Sequence, residues 1–255
     1  MQTNSPLDKK LIRALWALGM VGVVSVLPAV PALVAAQKPV PTISILLIQL
    51  FATIQSGVLI FAAVLLGAFF SHRVKLASPV LQALVNKKPV LALLKPQLLP
   101  AIIGGVAGGG VIVLAANQFV AYLPADFLAA TEKLSMPWYA LLLYGGISEE
   151  LLLRWGLMSF LVWFSFRVVQ SDQTKVQNIH YIFGIVLSSV LFGMSHLPTV
   201  YALSSSVNTP LILYIVIVNA SFGLISGALF WQFGLECAIL AHMLAHATLL
   251  VLEKV

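Results

Sequence analysis

Two carboxylates and a guanidinium stand together in Ser148-Glu149-Glu150-Leu151-Leu152-Leu153-Arg154, flanked on both sides by Trp, Tyr, Leu and Met. On a helix, Glu150 and Arg154 fall at i and i+4 with the acid on the N-terminal side, the favourable order for an ion pair. Glu149 is turned about 100° from Glu150 on an α-helix and points elsewhere, so its partner must come from another helix. Glu150 is thereby expected to brace structure, and general-base chemistry falls to Glu149. Three further residues could meet it. His196 ends the run Phe192-Gly193-Met194-Ser195-His196, and His242 and His246 stand at i and i+4, on one helix face. A lone histidine in an apolar helix is most often a satisfied core residue. Three beside a diacid, in a chain this poor in polar groups, point to shared chemistry. His72 and His180 sit at the ends of apolar runs and read as interfacial.

The elements that carry these residues are long and apolar. Of 255 residues, 60% are hydrophobic and only 9% charged, with a mean hydropathy of +1.03. A soluble domain is usually about a quarter charged, so lipid must cover much of this surface. Seven runs are long enough to span: Leu11–Ala36, Ile43–Phe70, Leu98–Tyr122, Pro137–Phe166, Ile179–Ser195, Leu211–Phe230 and Leu235–Leu252. Lipid offers a bare backbone no partner, and the alternating segments of a β-barrel are absent. The fold expected is an all-α, polytopic transmembrane bundle of seven helices. Val74–Gln97, which mixes Lys with Leu and Val, reads as an interfacial amphipathic helix, or as an eighth span if it enters the bilayer.

A charge at the centre of a spanning helix costs on the order of 2.5–3.5 kcal/mol, and three unpaired ones would disfavour insertion. Such residues face a protein interior or a watered cavity and are functional candidates. The glycines read as packing devices: Gly104-Gly105-Val106-Ala107-Gly108-Gly109 holds two overlapping GxxxG spacings, and Gly223 with Gly227 a third.

Lys9, Lys10, Arg13, Arg73, Lys75, Lys87, Lys88, Lys95, Arg167 and Lys175 fall on one side of the expected spans; only Lys38, Lys133 and Lys254 fall on the other. The positive-inside bias puts the N-terminus in the cytoplasm and, with seven spans, the C-terminus outside. The net charge of +6 belongs to this pattern, since no basic stripe with interleaved aromatics suggests nucleic acid. Val34-Ala35-Ala36 after a basic start resembles a signal-peptide cleavage site, against which the length of the run argues. Cys237 is the sole cysteine, so no disulfide forms within the chain.

Glu149-Glu150-x-x-x-Arg154, then Phe192-x-x-x-His196, then His242-x-x-x-His246 on successive membrane segments resembles the CAAX protease and bacteriocin-processing family. That family includes type II prenyl endopeptidases and bacteriocin self-immunity proteins. The resemblance covers roughly Pro137 to the C-terminus, dividing the chain into front helices, 1–136, and a protease-like core, 137–255. It implies an intramembrane endopeptidase of the bacterial plasma membrane, acting on a membrane-associated protein or peptide, prenylated or not. Glu149 and His196 would activate a water; His242 and His246 would stabilise the oxyanion; Glu150, Arg154 and Phe192 would support them. The family has Asn or Asp where this chain has His246. This departure leaves open a metal site of Glu149, His196, His242 and His246 binding zinc, although the preferred mechanism needs no cofactor. It also leaves open a member without catalysis that binds or confers immunity. A proton-coupled transporter is a third reading, disfavoured because the charges cluster in one half. Depth raises a difficulty: at 1.5 Å per residue, Glu149 and His196 lie about 26 Å from the cytoplasmic helix ends but His242 only about 10 Å.

Overall fold

A computed structural model describes residues 8–37, 42–134, 136–169 and 175–252. Of the described residues, 88% are helical and none forms a strand. Seven helices are long and apolar enough to cross a membrane: α1 (Lys9–Ala36), α2 (Ile45–Val74), α4 (Leu91–Tyr122), α6 (Trp138–Val169), α7 (Asn178–Ser195, continued after His196 by α8, Leu197–Leu203), α9 (Thr209–Phe233) and α10 (Leu235–Leu252). Two shorter helices, α3 (Pro79–Val85) and α5 (Ala125–Lys133), lie in the connections. The polytopic bundle expected from the sequence is the fold observed.

Local sequence explains where the helices begin and break. Asp8 caps α1, accepting from the amides of Lys10 (2.9 Å) and Leu11 (3.4 Å). Pro198 has no N–H to offer Met194, so α7 stops and His196 sits at the joint before α8. Gly234 turns α9 into α10 with φ +106°, a conformation that suits glycine and few other residues.

Backbone approaches through small residues knit the bundle. On α4, Gly104 and Gly108 face Leu229 and Phe222 of α9, while Gly105 and Gly109 face Leu244 and Thr248 of α10. The two overlapping spacings thus serve two different neighbours. Helix α6 is gripped by α1, where Ser148 Oγ donates to the Gly19 carbonyl (2.9 Å), and by α2, where the Trp155 indole lies over Gly67 and donates to the Val64 carbonyl (3.2 Å). The first span is therefore a packed wall of the bundle. The outer face of α2, Leu46, Leu50, Phe51, Ile54 and Val58, is left exposed and apolar.

One expectation is corrected. Val74–Gln97 is neither one amphipathic helix nor a span: Lys87 adopts φ 56° after Asn86, which splits it into α3 and the first turns of α4. His180 stands in the first turn of α7, at a span end as expected, and is 1% exposed, 2.9 Å from Ser165 Oγ and edge-on to Phe166. His72 is exposed, as expected.

The ends of the helices sort by charge. Asp8, His72 and Lys75 line one hollow; Tyr181 Oη donates to the Val74 carbonyl (2.7 Å); Arg73 and Arg167 line another hollow together. The ten Lys and Arg expected on one side of the spans thus gather at one end of the bundle. Lys133 lies at the other, and Lys38 and Lys254 fall outside the described residues.

The depth difficulty has a structural answer. The start of α10 is roofed: Leu235 N donates to the Ala77 carbonyl (3.0 Å), and Glu236 accepts from Ser78 Oγ (2.6 Å) and Leu81 N (2.8 Å). Leu235, Cys237 and Ala238 are completely buried. Helix α10 begins beneath the segment 77–85, and His242 is deeper than a count from a surface end implies.

Candidate active site

The residues singled out in α6 lie on an unusual backbone. Leu141–Glu149 and Leu151–Met158 are π-helical, the wider coil in which hydrogen bonds reach five residues back. Gly145 and Gly146 lie within it, and their missing side chains let α10 close in: a Cβ on Gly145 would stand 2.3 Å from His246 Nε2, and one on Gly146 2.3 Å from Met243 Cγ. The wider coil turns less per residue than an α-helix. Both carboxylates reach the same imidazole, each at a different ring nitrogen.

That imidazole is His242. Its Nδ1 lies 2.8 Å from Glu150 Oε1, and its Nε2 lies 3.9 Å from Glu149 Oε2. Glu150 also pairs with Arg154 (3.4 Å) and accepts from Ser226 Oγ (2.5 Å), which itself accepts from Arg154 Nε (3.2 Å). Glu150 and Arg154 are each about 1% exposed or less, so the knot is held by bonds inside the protein, with Arg154 Nη1 left buried without a hydrogen-bond partner. The ion pair expected within α6 is present, and it extends to His242 and to Ser226 of α9.

The other residues surround the knot. Phe192 stands edge-on to both His196 (5.0 Å) and His242 (6.0 Å), with the Arg154 guanidinium 5.3 Å from its ring. His196 Nδ1 lies 2.9 Å from the Phe192 carbonyl. His246 stacks on His242, centroids 5.0 Å apart and planes within 11°. Glu149, His196, His242 and His246 all line one cavity of about 550 Å³. Its remaining walls are largely apolar, including Leu33, Ile112, Leu141, Phe222 and Leu249.

Zinc finds no ligand set here. No three His, Cys, Asp or Glu side chains among the described residues come close enough to hold a metal ion. His242 and His246 lie in nearly parallel planes, so their in-plane lone pairs do not converge on one point. The 3.9 Å between Glu149 and His242 is also wide for two ligands of an ion bound at about 2.0–2.2 Å.

Three side chains at the site escape the sequence reading. Ser226 is one hydroxyl in a long apolar helix, and nothing in its spacing marks it. Tyr144 and Asn219 line the cavity. Tyr144 stands five residues before Glu149 and shares its face only because the backbone is π-helical.

Residues 131–248, which include every one of the motif residues, match the sequence model of a known family, described as type II CAAX prenyl endopeptidase Rce1-like. Over these residues, a little under half of the chain, the protein is similar to this family. Its members are usually proteases, membrane-embedded like this chain. Neither the curated proteins nor the solved structures returned a match to the chain. The matched region carries both carboxylates, all three cavity histidines and the whole knot beneath them.

Proposed function

We propose that this protein is an intramembrane endopeptidase of a bacterial plasma membrane, hydrolysing peptide bonds of a membrane-associated protein or peptide. The observation that carries the reading is the 3.9 Å gap between Glu149 Oε2 and His242 Nε2 at the cavity wall. The gap is too long for a direct hydrogen bond, and one water can bridge it with about 2.8 Å to each atom.

The chemistry follows from what holds each atom. Glu150, fixed by Arg154 and Ser226, accepts the Nδ1–H of His242 and leaves Nε2 with its lone pair toward Glu149. Glu149 takes a proton from the bridging water as its oxygen attacks the scissile carbonyl, and returns it to the departing amine. The developing oxyanion needs donors that are in place beforehand. His246 and the Tyr144 hydroxyl, both on the cavity wall, supply them, and His196 completes the polar side. Glu150 and Arg154 are positioning residues. No step requires a metal ion. Apolar walls suit a substrate that arrives through lipid.

The test is cleavage of a membrane-anchored peptide by the purified full chain, followed by mass spectrometry. Hydrolysis that survives a zinc chelator and disappears in Glu149→Ala or His242→Ala supports the reading. Activity retained in folded Glu149→Ala ends it. One feature favours a member that binds without hydrolysing: His246 stands where the family has an amide or a carboxylate. A purified wild-type chain that binds peptides at the cavity and turns none over would establish that reading instead.

A further inference from the structure

Seven segments contribute to the cavity wall, and neighbouring spans run in opposite directions through the bundle. Each nevertheless supplies the part that lies far from the basic end. Helices α1 and α4 give their later residues, Leu33 and Ile112; α6 and α9 give their earlier ones, Tyr144 and Asn219; α10 gives Leu249, near its end. Leu134 and Met136, flanking the connection into α6, and Thr199 of α8 also line it, so the cavity reaches the connections at that end. On the basic side the site is closed. Glu150, Arg154, Leu151, Trp155 and Phe230 are each 2% exposed or less and form a sealed floor between the cavity and the end that holds Lys9, Arg73 and Arg167.

We propose that the cavity receives its substrate from the non-cytoplasmic side of the membrane, as a polypeptide segment exposed on, or anchored in, the outer leaflet. Lys and Arg near helix ends are retained on the cytoplasmic side. Ten of them mark the closed end of this bundle, and Lys133 alone among the described residues marks the open one. The substrate class is therefore a translocated protein or the outer segment of a membrane protein, and cytoplasmic tails are excluded by the floor. The nature of the guest rests on the hydrolytic reading above; the direction of entry rests on charge and burial alone.

The experiment separates the two. Single cysteines are placed at exposed Thr199 and Glu132, beside the opening, and at exposed Asn86 and Lys88, at the basic end, in the full chain in intact cells. The native Cys237 is completely buried and serves as a silent background. A sulfonated, membrane-impermeant maleimide is added outside. Alongside, two single-span reporter proteins carry the same Leu-, Ala- and Ser-containing tail, one outside and one in the cytoplasm. The proposal expects labelling at 199 and 132, none at 86 and 88, and Glu149-dependent cleavage of the outer tail only. Labelling at 86 and 88 with protection at 199 and 132, or Glu149-dependent cleavage of the cytoplasmic tail, overturns it. Labelling as expected with neither tail cut supports the direction of entry and overturns hydrolysis instead.

Discussion

Glu150 and His242 lie 92 positions apart in the chain, yet Glu150 Oε1 and His242 Nδ1 are 2.8 Å apart in the interior of the bundle. The contact ties α6 to α10, and through Ser226 the same carboxylate ties both to α9. It also decides which ring nitrogen faces the cavity, so the brace and the chemistry are one construction. An amide in place of Glu150 could offer N–H to Nδ1 and reverse the proton on the ring. Glu150→Gln is expected to lower kcat roughly 10–100-fold, the usual loss when a partner orienting a functional histidine is removed. It also leaves Arg154 without its counter-charge, which costs about 3–5 kcal/mol in a buried pair. Steady-state kinetics and thermal unfolding in detergent measure the two losses.

Ser226→Ala isolates the smaller part of the same knot. It removes the hydroxyl that donates to Glu150 and accepts from Arg154 while keeping the ion pair. The expected loss of stability is about 1–3 kcal/mol, the range for leaving a buried polar partner unsatisfied. The ratio of kcat loss to stability loss should be smaller than for Glu150→Gln, since His242 keeps its carboxylate.

Gly145→Ala probes the close approach of α6 and α10. The added methyl group would lie 2.3 Å from His246 Nε2, and the ring must swing away from His242 or the helices must part. Overpacking of this kind costs typically about 1–3 kcal/mol. The variant is expected to fold with a lowered Tm and to lose activity. Its partial rescue by His246→Asn, a shorter side chain, would locate the clash at that contact.

At the open end, Asp126 clamps α5 to the segment after α8, accepting from Ser204 Oγ (3.0 Å), Ser205 N (2.9 Å) and Ser205 Oγ (3.1 Å). Desolvation works to raise its pKa, and the hydrogen bonds from Ser205, Ser204 and the Phe127 amide outweigh it, holding the carboxyl below its ordinary value. A group with a depressed folded pKa stabilises above its unfolded value and loses that contribution as pH falls through the folded one. Protection of the amides across 123–134, measured against their intrinsic exchange rates, should therefore fall below the ordinary carboxylate range, and Asp126→Asn should show the lower protection already at neutral pH.

Much of this was legible in the sequence because lipid is an exacting solvent. Apolar runs of about 20 residues or more announce spans, and charges inside them announce a site. Glu149, Glu150, Arg154, His196, His242 and His246 stood out on that ground alone. That both carboxylates meet His242 was not legible, because it depends on α10 packing against α6 where Gly145 and Gly146 leave room. Nor was the depth of His242, which depends on the segment 77–85 folding over the start of α10 from more than 150 positions away. Both belong to tertiary packing. Ser226 shows the same limit: a hydroxyl becomes part of a site only through what it meets.

The most direct test is the hydrolysis rate of Glu149→Gln beside wild type, both purified and matched in thermal unfolding. Glu149 borders the cavity and approaches the knot only at His242, 3.9 Å away, beyond hydrogen-bond distance, so the variant should fold as wild type does. A loss of about 10²–10⁴-fold in kcat, the usual contribution of a general base, with peptide binding retained, is the predicted result. Equal rates in the two proteins would contradict the account.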